Sequence, residues 1–146
     1  MASSNVVEEK VSDNKEIESK LGVIPNCFRF MGGEVRAHEE GRSLTVAFPV
    51  REQYTNPAGT MQGGFITGAF DNVFGPLCYL ATQTPMTTTI DINTSYHRPI
   101  FPGEELIIRA EVKTRGKTKV HMVAEAFNGE GKLIASATST YIHLKR

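Results

Sequence analysis

The sequence predicts an α+β domain in which one long central helix is wrapped by a curved antiparallel sheet of about six strands. Three observations lead there. Four runs after residue 86 alternate apolar and polar residues with the period of two of a half-covered strand, and two further strand-like runs precede residue 51. Between them, residues 62–81 are apolar nearly all round, the pattern of a helix covered on most sides. Turn residues separate the runs, so one sheet folded about one helix accounts for the order with short connections.

The elements follow in chain order. Residues 1–31 read as an N-terminal extension with a short helix, capped by Asp13 and stopped by Gly22, and Pro25 bars an easy continuation. The domain proper is expected over 32–146. "EVRAHEE" and "SLTVAFPV" are strands joined through Gly41 and Arg42. The loop "REQYTNPAG" leads into the long helix, expected from Gln62 to Ala81 with a kink at Gly75-Pro76. "TTTIDINTSY", "ELIIRAEVKT", "KVHMVAEAF" and "KLIASATSTYIHL" follow as a four-strand meander. Arg115-Gly116-Lys117 and Asn128-Gly129-Glu130-Gly131 supply two of its turns.

Composition removes several function classes. The chain has 146 residues, enough for one domain with a proper core. Sixteen basic residues balance sixteen acidic ones, so there is no electrostatic footprint for nucleic acid or an anionic membrane. Apolar runs fall short of the roughly 20 residues of a membrane span. The polar, mixed-charge start carries no secretory h-region, so a cytoplasmic location is expected. Cys27 and Cys78 form no CxxC and read as buried free thiols, and no metal or cofactor is expected.

The central helix is unusual for a core helix. Gly64, Gly68, Asp71 and Gly75 are spaced i, i+4, i+7 and i+11, so they share one stripe. Glycine weakens a helix interior by roughly 1 kcal/mol each, and a buried unpaired carboxylate costs more. Tight packing accounts for the glycines as well as function does. Asp71 is different: in a seam of small residues it must be hydrogen-bonded, shifted in pKa, or held against a functional group. At the other end, Gly63 and Gly64 occupy the first turn, where N–H groups lack intrahelical partners and can polarise a carbonyl. Eight residues separate Gly63 from Asp71, roughly 12 Å along the axis. A reacting atom needs both within about 3 Å. Two antiparallel copies of the helix can provide that, so the spacing predicts a two-fold dimer with two composite sites.

The ordered motifs N-P-x-G-T-M-Q-G-G-x(6)-D-N, T-T-I-D-I-N-T-S-Y-H-R-P, P-G-E-x-L and R-G-K-T resemble the PaaI-like acyl-CoA thioesterase branch of the hotdog superfamily. The resemblance covers roughly residues 32–143. It implies a hotdog homodimer hydrolysing acyl-CoA thioesters, with pairing of dimers into a tetramer left open. Carried over by motif, Asp71 is the carboxylate that attacks the thioester or activates water, and Gly63 supplies the polarising N–H. Asn56 falls where the family has a polar group near the thioester, and Thr89 falls where a Ser or Thr orients water. The departure is Gln62, since many relatives have histidine there. Glutamine takes up no proton, so its role is limited to hydrogen bonding.

Other candidates carry less. Gly64 and Thr88 are expected to contact substrate, and Arg98, Arg115 and Lys117 to meet the phosphates of coenzyme A through charge-assisted hydrogen bonds. For any single one of these cations, solvated turn charge is the favoured reading. Phe65, Phe74, Met61 and Met86 hint at an aryl or medium-chain acyl pocket, or simply at core packing. His97 reads as a turn histidine, and His38, His121 and His143 lack metal-ligand spacing. Neither a Gly-x-Ser-x-Gly elbow nor a P-loop occurs. Two alternatives stand beside the thioesterase: an acyl-CoA-binding module without turnover, and a hydratase or dehydratase of the same fold, which usually needs a histidine beside its carboxylate.

Overall fold

The computed structural model describes Lys20 and residues 24–144. Its elements are α1 (Asn26–Phe30), β1 (Glu34–Glu39), β2 (Ser43–Pro49), a single 3-10 turn (Glu52–Tyr54), α2 (Gly63–Thr82), β3 (Thr87–Tyr96), β4 (Glu105–Arg115), β5 (Lys119–Phe127) and β6 (Leu133–His143). The helix expected between Asp13 and Gly22 lies outside the described residues apart from Lys20.

All six strands join one antiparallel sheet in the order β1-β2-β4-β5-β6-β3. The expected meander therefore holds only for β4, β5 and β6. β3 pairs with β6 at the far edge, and residues 97–104 carry the chain back across the sheet to β4. Alternation within a strand fixes which face is covered but not which strand lies beside it, which is why the order was not legible. The hairpin turns need left-handed backbone at Gly41 (φ +68°) and Gly131 (φ +80°), where glycine carries no β-carbon penalty.

α2 lies on the concave face of this sheet. Ile66, Ala69, Phe70, Val73, Phe74, Leu77 and Cys78 are buried against Leu106, Ile108, Val120, Met122 and Ile134. Pro76 sits inside the helix, which continues through it to Thr82. α1 contributes to the same core: Phe28 and Met31 are buried, and Phe28 packs edge-on to Phe48 at 6.0 Å. No helix among the described residues is long and apolar enough to cross a membrane.

Candidate active site

The start of α2 is held from outside the helix. Met61 N–H donates to the Ile100 carbonyl (2.9 Å), in the crossing segment, and Gln62 N–H donates to the Tyr54 carbonyl (2.8 Å). That leaves the next two donors, Gly63 and Gly64, with no acceptor among the described residues. Tyr96, at the end of β3, fixes the turn from the other side. Its hydroxyl donates to the Gly63 carbonyl (2.8 Å) and meets the Thr67 hydroxyl at 2.7 Å; Thr67 also donates to Thr94 (2.9 Å). A β-carbon at Gly63 would stand 2.8 Å from Cζ of Tyr96. A side chain at 63 would therefore have to push this ring aside.

Asn56 lies nearby but its side chain is already engaged. Oδ1 accepts from the N–H groups of Ala58 (3.0 Å) and Thr60 (3.2 Å), and Nδ2 donates to Thr60 Oγ1 (3.0 Å). This side chain closes the loop before the helix, in the manner of an Asx turn. Asn56, Thr60, Met61, Gly63, Ile66, Tyr96, His97, Arg98 and Pro99 line one cavity of about 510 Å³. Gln62 caps the helix through its backbone, with its side chain exposed and making no capping hydrogen bond.

Asp71 belongs to a second cavity. Of about 470 Å³, it is walled by Pro25, Cys27, Asn72, Gly75, Pro76, Tyr79, Pro85, Thr87 and Thr88, with Thr89 and Tyr141 beside the carboxylate. Tyr141 donates a 2.6 Å hydrogen bond to Asp71 Oδ1, and Thr89 reaches the same oxygen at 3.4 Å, the long end of the range. Burial, then the hydrogen bond to Asp71, pushes Tyr141 far above the usual phenol range, so it stays protonated and donates. Tyr141 went unread in the sequence, where it is one member of a period-two strand 70 positions from its partner.

The structure thus distributes the expected residues between two places. Gly63, Asn56 and Arg98 line the first cavity; Asp71, Thr88 and Thr89 line the second. Arg115 and Lys117 line neither, being exposed at the β4–β5 turn, and Gly64 stands exposed on the helix between the two. Asp71 is exposed in the single chain, and nothing lies within 4 Å of a β-carbon built at Gly64 or Gly68. One expectation needs correction. Cys27 is an exposed thiol on the wall of the Asp71 cavity; only Cys78 is buried. Phe65 and Phe74 line neither cavity: Phe74 is core, and Phe65 stacks on Tyr54 at 4.7 Å.

Against known proteins, residues 58–135 match the model of the thioesterase superfamily, more than half of the chain and all of α2. The chain belongs to the thioesterase superfamily. It is a hotdog-fold thioester hydrolase of PaaI-like type. Among curated relatives, acyl-coenzyme A thioesterase 13 of Mus musculus is 26% identical over 127 residues, covering 86% of this chain and 91% of the relative. Among solved structures, the E. coli PaaI protein from the phenylacetic acid degradation operon superposes with a TM-score of 0.79 over 95% of this chain and 96% of the other. At 20% identity, that likeness bears on fold alone. A phenylacetic acid degradation-related protein of Ralstonia eutropha is 30% identical, with a TM-score of 0.76 over 86% of this chain and 96% of that one.

Proposed function

We propose that this thioesterase hydrolyses acyl-CoA to free acid and coenzyme A in a homodimer whose two active sites are each built from both chains. The observation that carries the reading is the separation of the two half-sites. One cavity offers an unpartnered helix-start N–H and a cation, and the other offers a hydroxyl-supported carboxylate. Neither half suffices alone. The open glycine stripe between them supports close approach of a second α2. The free edge of β3, with Ile90 and Tyr96 half exposed, supports pairing of the two sheets along the same axis.

In such a site the thioester carbonyl accepts from Gly63 N–H of one chain at the positive end of its helix. Asp71 of the other chain acts on the carbonyl carbon, either directly as nucleophile or as the base for a water. In the second route the carboxylate takes a proton from water, the hydroxide adds to the carbon, and the C–S bond breaks. Coenzyme A leaves as thiolate and collects that proton. Thr89 supplies a hydroxyl beside the carboxylate, and Thr88 one on the cavity wall. Gln62 offers hydrogen bonding only. Arg98 lies at the Gly63 end, and Arg115 and Lys117 at the β4–β5 turn, two strands across from Tyr141, are the further cations offered to the phosphates. Proline and tyrosine walls around Asp71 favour an aryl or medium-chain acyl group.

A panel of short, medium, long and aromatic acyl-CoAs with a free-thiol readout tests the reading, with no metal or nucleotide added. Thiol release is expected, fastest with aromatic or medium-chain acyl groups. Binding without release across the panel would leave an acyl-CoA-binding module in its place.

A further inference from the structure

We propose that Tyr141 is a positioning residue for Asp71, its buried phenol holding one carboxylate oxygen so that the other faces the thioester. The inference rests on the acyl-CoA reading for its reaction but on separate observations for its geometry. Both hydrogen bonds that Asp71 receives from side chains land on Oδ1, and Oδ2 takes none among the described residues. The 2.6 Å bond from Tyr141 is the short, charge-assisted kind, whereas Thr89 stands at 3.4 Å. Tyr141 itself is only 5% exposed, locked in the core between β3 and β5, so its hydroxyl is a fixed point. Asp71 sits on an exposed helix face and would otherwise rotate freely about its side-chain bonds.

The surroundings leave this role to few other groups. Among the described residues, no lysine, arginine or histidine lines the cavity. The titratable groups facing Asp71 there are Tyr141 from β6, Tyr79 from its own helix, and Cys27 from α1, with Cys78 behind the phenol. The hydroxyls of Tyr141 and Thr89 are the side-chain donors that meet this carboxylate among the described residues. In the reaction, Oδ2 is the oxygen that attacks carbon or takes the proton from water, while Tyr141 keeps its own proton throughout.

Tyr141→Phe keeps the ring and removes the donor. Two measurements read it: the pH profile of kcat with KM, and the titration midpoint of the Asp71 carboxyl carbon by NMR. Losing a hydrogen bond to the charged form makes the carboxyl easier to protonate, so both the acid limb of kcat and the NMR midpoint should move up in the variant. At the pH optimum kcat should fall about ten- to a hundredfold with KM within about twofold, since a loosened carboxylate costs orientation rather than binding. An unmoved midpoint overturns the proposal even where activity drops, because the loss would then be structural. Unchanged kcat at the optimum overturns it as well. If native protein releases no thiol, the acyl-CoA reading fails, while the NMR midpoint still decides the contact. Should the variant fail to fold, the phenol carbon of Tyr141 in native protein must shift with the Asp71 midpoint; independence of the two overturns the proposal.

Discussion

At the scale of single residues, the site turns on how two small groups are presented. The Tyr96 ring lies where a β-carbon at Gly63 would stand, and the Gly63 N–H is free because it opens the first turn of α2. Asp71 is exposed but not loose, since Tyr141 grips one oxygen. On the proposed mechanism, Asp71→Asn keeps the shape and loses both nucleophile and base, so its effect falls on the transition state. Turnover should fall by roughly a thousandfold or more while binding of a non-hydrolysable acyl-CoA analogue, read by calorimetry, stays within about threefold. Near-native turnover in Asp71→Asn would remove the carboxylate from the mechanism.

At the scale of the element, α2 has two unlike faces. One buries Ile66, Phe70, Val73, Phe74 and Leu77 against the sheet, and the other presents Gly64, Gly68 and Asp71. The second face distinguishes a solvent-facing helix from one meeting a second copy. In a lone chain, Gly68→Ala meets nothing within 4 Å and should stabilise by up to about 1 kcal/mol through helix propensity. If the stripe packs on another α2, the added methyl pushes the backbones apart. Sedimentation should then show a weaker dimer, by about tenfold or more in Kd, with activity lost in step. A higher thermal midpoint with unchanged association would place this face in solvent.

At the scale of the whole molecule, the half-sites make a claim about assembly. Asp71→Ala and Gly63→Pro should each be inactive; the second removes the N–H and drives a side chain into Tyr96, so retained fold is checked by circular dichroism. In a mixed dimer with composite sites, one site carries both lesions and the other neither. Co-refolding should then restore up to about half of native activity per mixed dimer. If each chain held a complete site, every site would carry one lesion and nothing would return. Silence with mixed dimers demonstrably formed would rule out sharing.

The sequence by itself determined what repeats locally. Period two set the bounds of β3 and β5 to the residue, and the apolar run set α2 to within one residue at each end, because burial on a face is written into spacing. Helix geometry likewise put Gly63 too far from Asp71 for one chain to join them. The tertiary structure alone decided what depends on contacts distant in the chain. β3 lies beside β6 because the crossing segment carries the chain back over the sheet, which no alternation pattern encodes. That placement brings Tyr141 to Thr89 in the ladder, and so to Asp71. It also sets Tyr96 against Gly63. A phenol in a regular strand carries no local mark of its partner: its meaning comes from the strand next to it, and that neighbour is fixed by the packing of the whole sheet around α2.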